Sequence, residues 1–201
     1  MQSQFDSSRK FGVEIETSRS GPSIARIVRA LNEAGIVTAN TGYTHRTMST
    51  WKVVPDASTG PEVVSPPLSG QAGLDEVARV CEVLQSIGCT VDRSTGLHVH
   101  HDFSDGTKAN LKSILFLYAK AQNLTGALLP SRSNSRWASP LSVEAIRYLD
   151  SRMNRRARQV GQAADLRFYA NNIVCRLQLA VKPQAYSNHG TIEFRQHSGS
   201  L

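Results

Sequence analysis

Gly12-Val13-Glu14-Ile15-Glu16-Thr17 sets two carboxylates one residue apart inside a short run of strand-forming residues. Side chains alternate along a strand, so Val13 and Ile15 face one way, toward a core, while Glu14 and Glu16 stand side by side on the opposite face. Their like charges repel unless a cation lies between them, which is the reason to look for a metal. An edge strand with a solvated acidic face would carry the same pattern. Three later strand-like stretches repeat the design, and the recurrence favours the metal reading.

The first of these is Pro61-Glu62-Val63-Val64-Ser65-Pro66-Pro67, in a strand-and-turn region from Tyr43 to Ser65 that also contains Trp51-Lys52-Val53-Val54-Pro55-Asp56. Glu62 enters a β-branched run from a turn, and the following prolines end the strand, leaving the carboxylate near a sheet end. The second is Thr95-Gly96-Leu97-His98-Val99-His100-His101-Asp102-Phe103. His98 and His100 share one face of that strand and can present two nitrogens to one ion or phosphate, although hydrogen-bonded histidines would give the same pattern. His101 and Asp102 read as supporting or loop positions. The third is Gly190-Thr191-Ile192-Glu193-Phe194-Arg195-Gln196-His197, with Ile192 and Phe194 on the apolar face. Glu193 and Arg195 share the other face; one suits a cation and the other has the planar fork that clamps a carboxylate or phosphate, unless the two close a structural ion pair between strands.

Helical patterns separate these strands. After Ser20 or Gly21 as a cap and Pro22 in the first turn, Ile24, Ile27, Val28 and Leu31 fall at helical spacing and Gly35 supplies a stop. Between Gly70 and Gly88 the positions Leu74, Val77, Ala78, Cys81, Leu84 and Ile87 form a second amphipathic stripe. A long apolar helix is expected from Thr107 to Leu129. A polar loop from Pro130 to Trp137 leads through Ser139 and Pro140 into a further helix, which ends in Arg152, Arg155, Arg156 and Arg158. An apolar strand-like run reaching Val181 follows Arg167-Phe168-Tyr169-Ala170-Asn171-Asn172.

The chain has 201 residues, 40% of them hydrophobic, enough for one domain with a real core. No linker, repeat or low-complexity stretch divides it, so a single domain over residues 1–201 is expected. No apolar run reaches the length of a membrane span, and the start lacks the basic and apolar regions of a signal peptide, which places the protein in the cytoplasm. Cys81, Cys89 and Cys175 show neither C-x-x-C spacing nor an even count and read as buried thiols. The net charge of +7 favours acidic partners: nucleic acid, a nucleoside triphosphate or a polyanionic substrate. The four-arginine cluster lacks the aromatic interleaving of a nucleic-acid surface and reads as a solvated helix face near a favourable dipole, which speaks against a nucleic-acid partner.

FGVEIET, W-x-V-x-x-D-x-S with PEVVSP, TGLHVHHD, the RFYANN region and GTIEFRQHSG, taken in order, resemble the amidoligase family, a branch of the glutamine synthetase and γ-glutamylcysteine ligase superfamily. The resemblance spans nearly the whole chain. It implies an α+β fold with a curved antiparallel sheet, helices packed on one face, and metal-binding carboxylates lining the sheet. It also implies ATP and Mg²⁺ or Mn²⁺ as cofactors, and an activity that joins a carboxylate to an amine through an acyl phosphate, on small-molecule or peptide substrates. Carried over by position, Glu14, Glu16, Glu62, Glu193 and His98 are metal ligands. His98 and His100 face metal or ATP phosphate, and Glu193 with Arg195 is the closing pair at the reacting phosphoryl group. Arg167 with Asn171 or Asn172 falls at substrate or phosphate contacts, and Asp56 and Ser58 lie in the turn before the acidic strand. Relatives usually continue past the final motif, so the chain reads as a compact or shortened version.

The chemistry suits these residue types. A γ-phosphoryl group and an attacking carboxylate are both anionic, and their approach needs bridging cations and positive side chains. Glutamate oxygens suit Mg²⁺ or Mn²⁺ better than zinc. A base for the amine is unassigned; a carboxylate or His189 could serve. No G-x-x-x-x-G-K-[ST] loop is present, so nucleotide binding would rest on sheet, metals and arginines. Two other classes use the same residues: a metal-dependent phosphoesterase or nuclease, and a non-catalytic binding domain whose carboxylates survive as ion pairs.

Overall fold

The computed structural model describes residues 8–130, 138–172 and 180–201. They form an α+β protein with seven strands and six helices among the described residues, in two compact units. The first unit runs to His101 and includes Ser198–Leu201; the second is Asp102–His197. Among the described residues, no helix is long and apolar enough to cross a membrane.

The first unit contains β1 (Phe11–Glu16), α1 (Ile24–Glu33), β2 (Thr38–Asn40), β3 (Trp51–Pro55), β4 (Pro61–Val64), α2 (Gly70–Ser86) and β5 (Gly96–Asp102). β1 is the central strand, antiparallel to β4 on one side and to β5 on the other, and β3 continues the sheet antiparallel to β4. Alternation along these strands sorts the side chains as the pattern predicts. Val13, Ile15, Val53 and Val63 are buried on the face covered by Ile27 and Leu31 of α1 and by Val80 and Leu84 of α2. The helices thus occupy one face, and Glu14, Glu16, Glu62, His98 and His100 share the other. Trp51, 1% exposed, fastens β3 to α2 through its indole N–H, which donates to Glu76 Oε1 at 2.5 Å.

Two details depart from expectation. The cap of α1 is Ser23, whose hydroxyl accepts from the Arg26 N–H, so Pro22 precedes the cap instead of entering the first turn. Ser23 wins because its extended backbone directly adjoins the first helical residue, the position from which a side chain reaches the orphan N–H groups. The strand β2 has no counterpart in the sequence reading, and it runs parallel to β3, which makes the sheet mostly but not wholly antiparallel. A tight hairpin cannot join parallel strands, and residues 41–50 supply the return path. The stops hold: Gly35 and Gly88 follow α1 and α2 with φ of +79° and +84°, where other residues are strained.

The second unit contains α3 (Lys108–Leu128), α4 (Val143–Gln159), α5 (Leu166–Asn172), β6 (Val181–Lys182), α6 (Ala185–His189) and β7 (Thr191–Ser198). Thr107 and Asn110 cap α3 reciprocally. Leu111 and Leu115 of α3, Ile146 and Met153 of α4, Phe168 and Tyr169 of α5 and Ile192 of β7 share one core. The expected loop over Pro130–Trp137 lies outside the described residues apart from Pro130, and the strand-like run before Val181 lies largely outside them, as does Cys175. Cys89 is buried and Cys81 half-buried.

Candidate functional site

Register places the carboxylates. Glu16 lies opposite Glu62 on β4, and Glu14 lies between Val64 on β4 and His98 on β5. Directly opposed residues share a face, so a band of acid and imidazole crosses the middle of the sheet on the side away from α1 and α2. Gly60 makes the tight approach that holds β4 to β1 at this point. Its N–H donates to Thr17 O at 2.8 Å, Thr17 N–H donates to Pro61 O at 3.0 Å, and a Cβ at Gly60 would lie 2.5 Å from Ser18 O.

Hydrogen bonds then fix the side chains. His98 Nδ1 lies 3.0 Å from Glu14 Oε2 and its Nε2 lies 3.4 Å from Glu16 Oε1. His100 Nε2 lies 3.2 Å from Glu14 Oε1. The other oxygen of Glu16 accepts the Gly96 N–H at 2.6 Å. The approach of Glu16 to His98 Nε2 is a charge contact and not a hydrogen bond, and candidate ligand atoms of Glu14, Glu62 and His98 all lie within 4.8 Å of one another. In a six-coordinate Mg²⁺ or Mn²⁺ site opposite ligands are roughly 4.2 Å apart and adjacent ones roughly 3.0 Å, so these three groups lie close enough to be drawn onto one ion by side-chain adjustment.

Charge argues the same way. Burial, followed by the neighbouring charges of Glu14, Glu16 and Asp56, pushes the Glu62 carboxyl well above its ordinary range. Burial acts on Glu14 in the same direction, but hydrogen bonds from His100 and His98 outweigh it and hold Glu14 well below the usual value. Ionisation is favoured at Glu14 and penalised at Glu62, because the face gathers several acids out of water. A divalent cation would relieve that crowding; the two carboxylates are donors suited to Mg²⁺ or Mn²⁺, and the imidazole is a donor that transition metals take more readily than Mg²⁺.

Lys52 belongs to this face and was missed in the sequence. It lies across from Val64, in the row that continues to Glu14 and His98. It is only 5% exposed, and its ammonium donates to Thr44 O at 3.1 Å and Arg46 O at 2.8 Å. The signal was present in Trp51-Lys52-Val53-Val54, where alternation puts Lys52 on the side opposite the core residue Val53. Ser58 is placed differently: its hydroxyl and N–H both donate to Asp56 Oδ1, at 2.6 and 2.5 Å, closing the turn between β3 and β4. Burial acts to raise the Asp56 pKa, yet these bonds and the Thr59 N–H hold it low.

In the second unit Glu193 is 4% exposed, and both its oxygens face cations. Arg195 Nη1 donates to Oε1 at 2.6 Å, and Lys182, its register partner on β6, approaches Oε2 to 3.6 Å. Arg167 and Asn171, four residues apart on α5, are both exposed and so share a helix face, with Asn171 accepting from the Ser187 hydroxyl. Asn172 instead donates to Phe168 O one turn back, at 2.9 Å. The structure thus distinguishes the two asparagines that the sequence left as alternatives. Arg152, Arg155, Arg156 and Arg158 lie on an exposed face of α4, and Arg156 and Arg158 are in its last turn, as the dipole favours.

No curated protein and no solved structure gives a match to this chain. A family model described as "Putative amidoligase enzyme" matches residues 7–201, a span that takes in the acid strands, the histidine strand and the closing Glu193–Arg195 pair. The chain belongs to this amidoligase family.

Proposed function

We propose that the protein is an ATP- and Mg²⁺- or Mn²⁺-dependent carboxylate–amine ligase. The observation that carries the reading is the convergence of Glu14, Glu62 and His98 on one point of the sheet, in a chain of the amidoligase family. Glu14, Glu62 and His98 would hold the cation, which when bound would screen the phosphates and polarise the group transferred. His98 and His100 hold the two oxygens of Glu14, and the carboxylate of Glu16 lies beside the far nitrogen of His98, so the donors are gathered before any ligand arrives.

In the reaction, an oxygen of the substrate carboxylate attacks the γ-phosphorus and the bond to the departing ADP breaks. The amine then attacks the acyl carbon, phosphate leaves, and the amine gives up a proton to a base. We assign Arg195 and Arg167 to the negative charge of the phosphoryl group, a role for which a guanidinium fork is suited. Glu193 is assigned to the same pair, and Asn171 to a neighbouring substrate contact.

The test is ADP release from ATP in the presence of panels of amino acids and peptides, with hydroxylamine added as the amine. A ligase forms a hydroxamate in proportion to the ADP released, because hydroxylamine traps an acyl phosphate. Hydrolysis of phosphate esters with no ADP release would instead establish a phosphoesterase.

A further inference from the structure

The carboxylate face carries one buried cation whose bonding is incomplete. Lysine is among the residues least often buried, and an ammonium taken out of water needs its three N–H groups satisfied. Lys52 gives two of them to the carbonyls of Thr44 and Arg46. Among the described residues no third acceptor and no ion pair completes it. Those two carbonyls are neutral; burial disfavours the charge, and the field of Glu14 and Glu62 across the same face only partly offsets that. A methionine would fill this strand position with no charge to desolvate, and the two carbonyls at residues 44 and 46 lie in a loop that water could satisfy.

We propose that Lys52 is an anion-binding residue of the site: its ammonium, held by two loop carbonyls, gives its remaining N–H to a phosphate or carboxylate oxygen of the substrate beside the cation held by Glu14, Glu62 and His98. This rests on the ligase reading, which requires two anionic groups to be brought together on an acidic face. Residues 41–50 then have a function beyond returning the chain to β3: they fix where the ammonium sits. A fixed positive charge between an acidic face and an arriving anion lowers the repulsion the anion meets, and a hydrogen bond from a charged donor adds directionality.

The role predicts effects of opposite kind on cation and anion. Lys52→Met removes a positive charge but none of the three donors, so Mn²⁺ should bind at least as tightly as to the wild type. ATP with Mn²⁺ should bind about tenfold more weakly or worse. Lys52→Arg, which keeps the charge, should recover most of that loss. Calorimetric titration of Mn²⁺ alone, then of ATP at saturating Mn²⁺, measures both. Should Lys52→Met fail to fold, Lys52→Gln carries the test, because it keeps a polar donor directed toward the Thr44 and Arg46 carbonyls without the charge. Unchanged ATP affinity in either neutral variant overturns the assignment of Lys52 and leaves the ligase reading standing. Parallel loss of Mn²⁺ and ATP binding also overturns it, since that result reports only a loop fastener. A wild-type protein that binds neither Mn²⁺ nor ATP overturns both readings.

Discussion

Glu62→Gln is the substitution whose consequences the geometry specifies most closely. The amide keeps the shape of the side chain but removes one of the two carboxylates in the Glu14–Glu62–His98 group. It also removes the acid that stands opposite Glu16 in the register, whose ionisation there is penalised. Without metal, the variant should therefore be at least as stable as the wild type near neutral pH, because a buried acid whose ionisation is penalised has been replaced by a neutral amide. With metal the order reverses. At a free Mn²⁺ concentration of 100 times the wild-type Kd, linkage stabilises the folded wild type by about 2.7 kcal/mol. In a chain of this length each kcal/mol moves Tm by about 2–4 °C, so the wild type should gain roughly 5–11 °C. Loss of one ligand weakens binding by about 100-fold or more, which leaves the variant near or below its own Kd and reduces the gain to about 0.4 kcal/mol, roughly 1–2 °C. Thermal unfolding of both proteins, with chelator and with Mn²⁺, gives all four values. A full Mn²⁺ shift retained in Glu62→Gln, or a variant much less stable than the wild type without metal, would refute the reasoning.

Three further outcomes follow from the same structure. Because Glu62 is held well above its ordinary value of 4.5, the metal-free fold retains a proton that the unfolded chain has lost. Stability without metal should then fall as pH rises above that value, whereas the contribution of Glu14, held low, persists until pH drops below it. The cation must displace the Glu62 proton, so the Mn²⁺ shift in Tm should grow as pH rises above the ordinary carboxylate range; a shift independent of pH would contradict this. Gly60→Ala places a methyl against the Ser18 carbonyl and should cost about 1–3 kcal/mol while also weakening Mn²⁺ binding, because the same contact holds β4 to β1; denaturant unfolding with calorimetry tests both. Burial pushes the Cys89 thiol up to about 11, so iodoacetamide should alkylate it slowly near pH 8 in the folded protein and rapidly in urea, and equal rates would show that the site is open.

Much of this was legible in the sequence because a strand has the simplest of codes. Alternation alone put Glu14 and Glu16 opposite Val13 and Ile15, and put His98 with His100, and the structure keeps both arrangements. What alternation cannot give is register. That Glu16 faces Glu62 while Glu14 faces His98 depends on how strands distant in sequence are paired, and this pairing decides that Glu14, Glu62 and His98 are the residues brought close together. Lys52 was hidden for a different reason. A lysine is expected in water, and here a loop with no periodicity of its own, residues 41–50, provides the carbonyls that make burial possible. The three-residue strand β2 gives too short a pattern to read, and its parallel pairing with β3 has no local signal. The cap of α1 shows how local competition misleads: Ser20, Gly21 and Ser23 all suit a helix start, and the choice falls to whichever backbone is extended next to the first turn. At Asn171 and Asn172 the decisive fact is helical phase, which sends one amide outward and the other back to Phe168.

Calorimetric titration of ATP into the wild-type protein and Glu14→Gln, each with and without Mg²⁺, tests the central claim most directly. ATP is expected to bind the wild type only when Mg²⁺ is present, and Glu14→Gln, folded by circular dichroism, is expected to lose that binding. ATP bound equally well without Mg²⁺, or with undiminished affinity by Glu14→Gln, would contradict it.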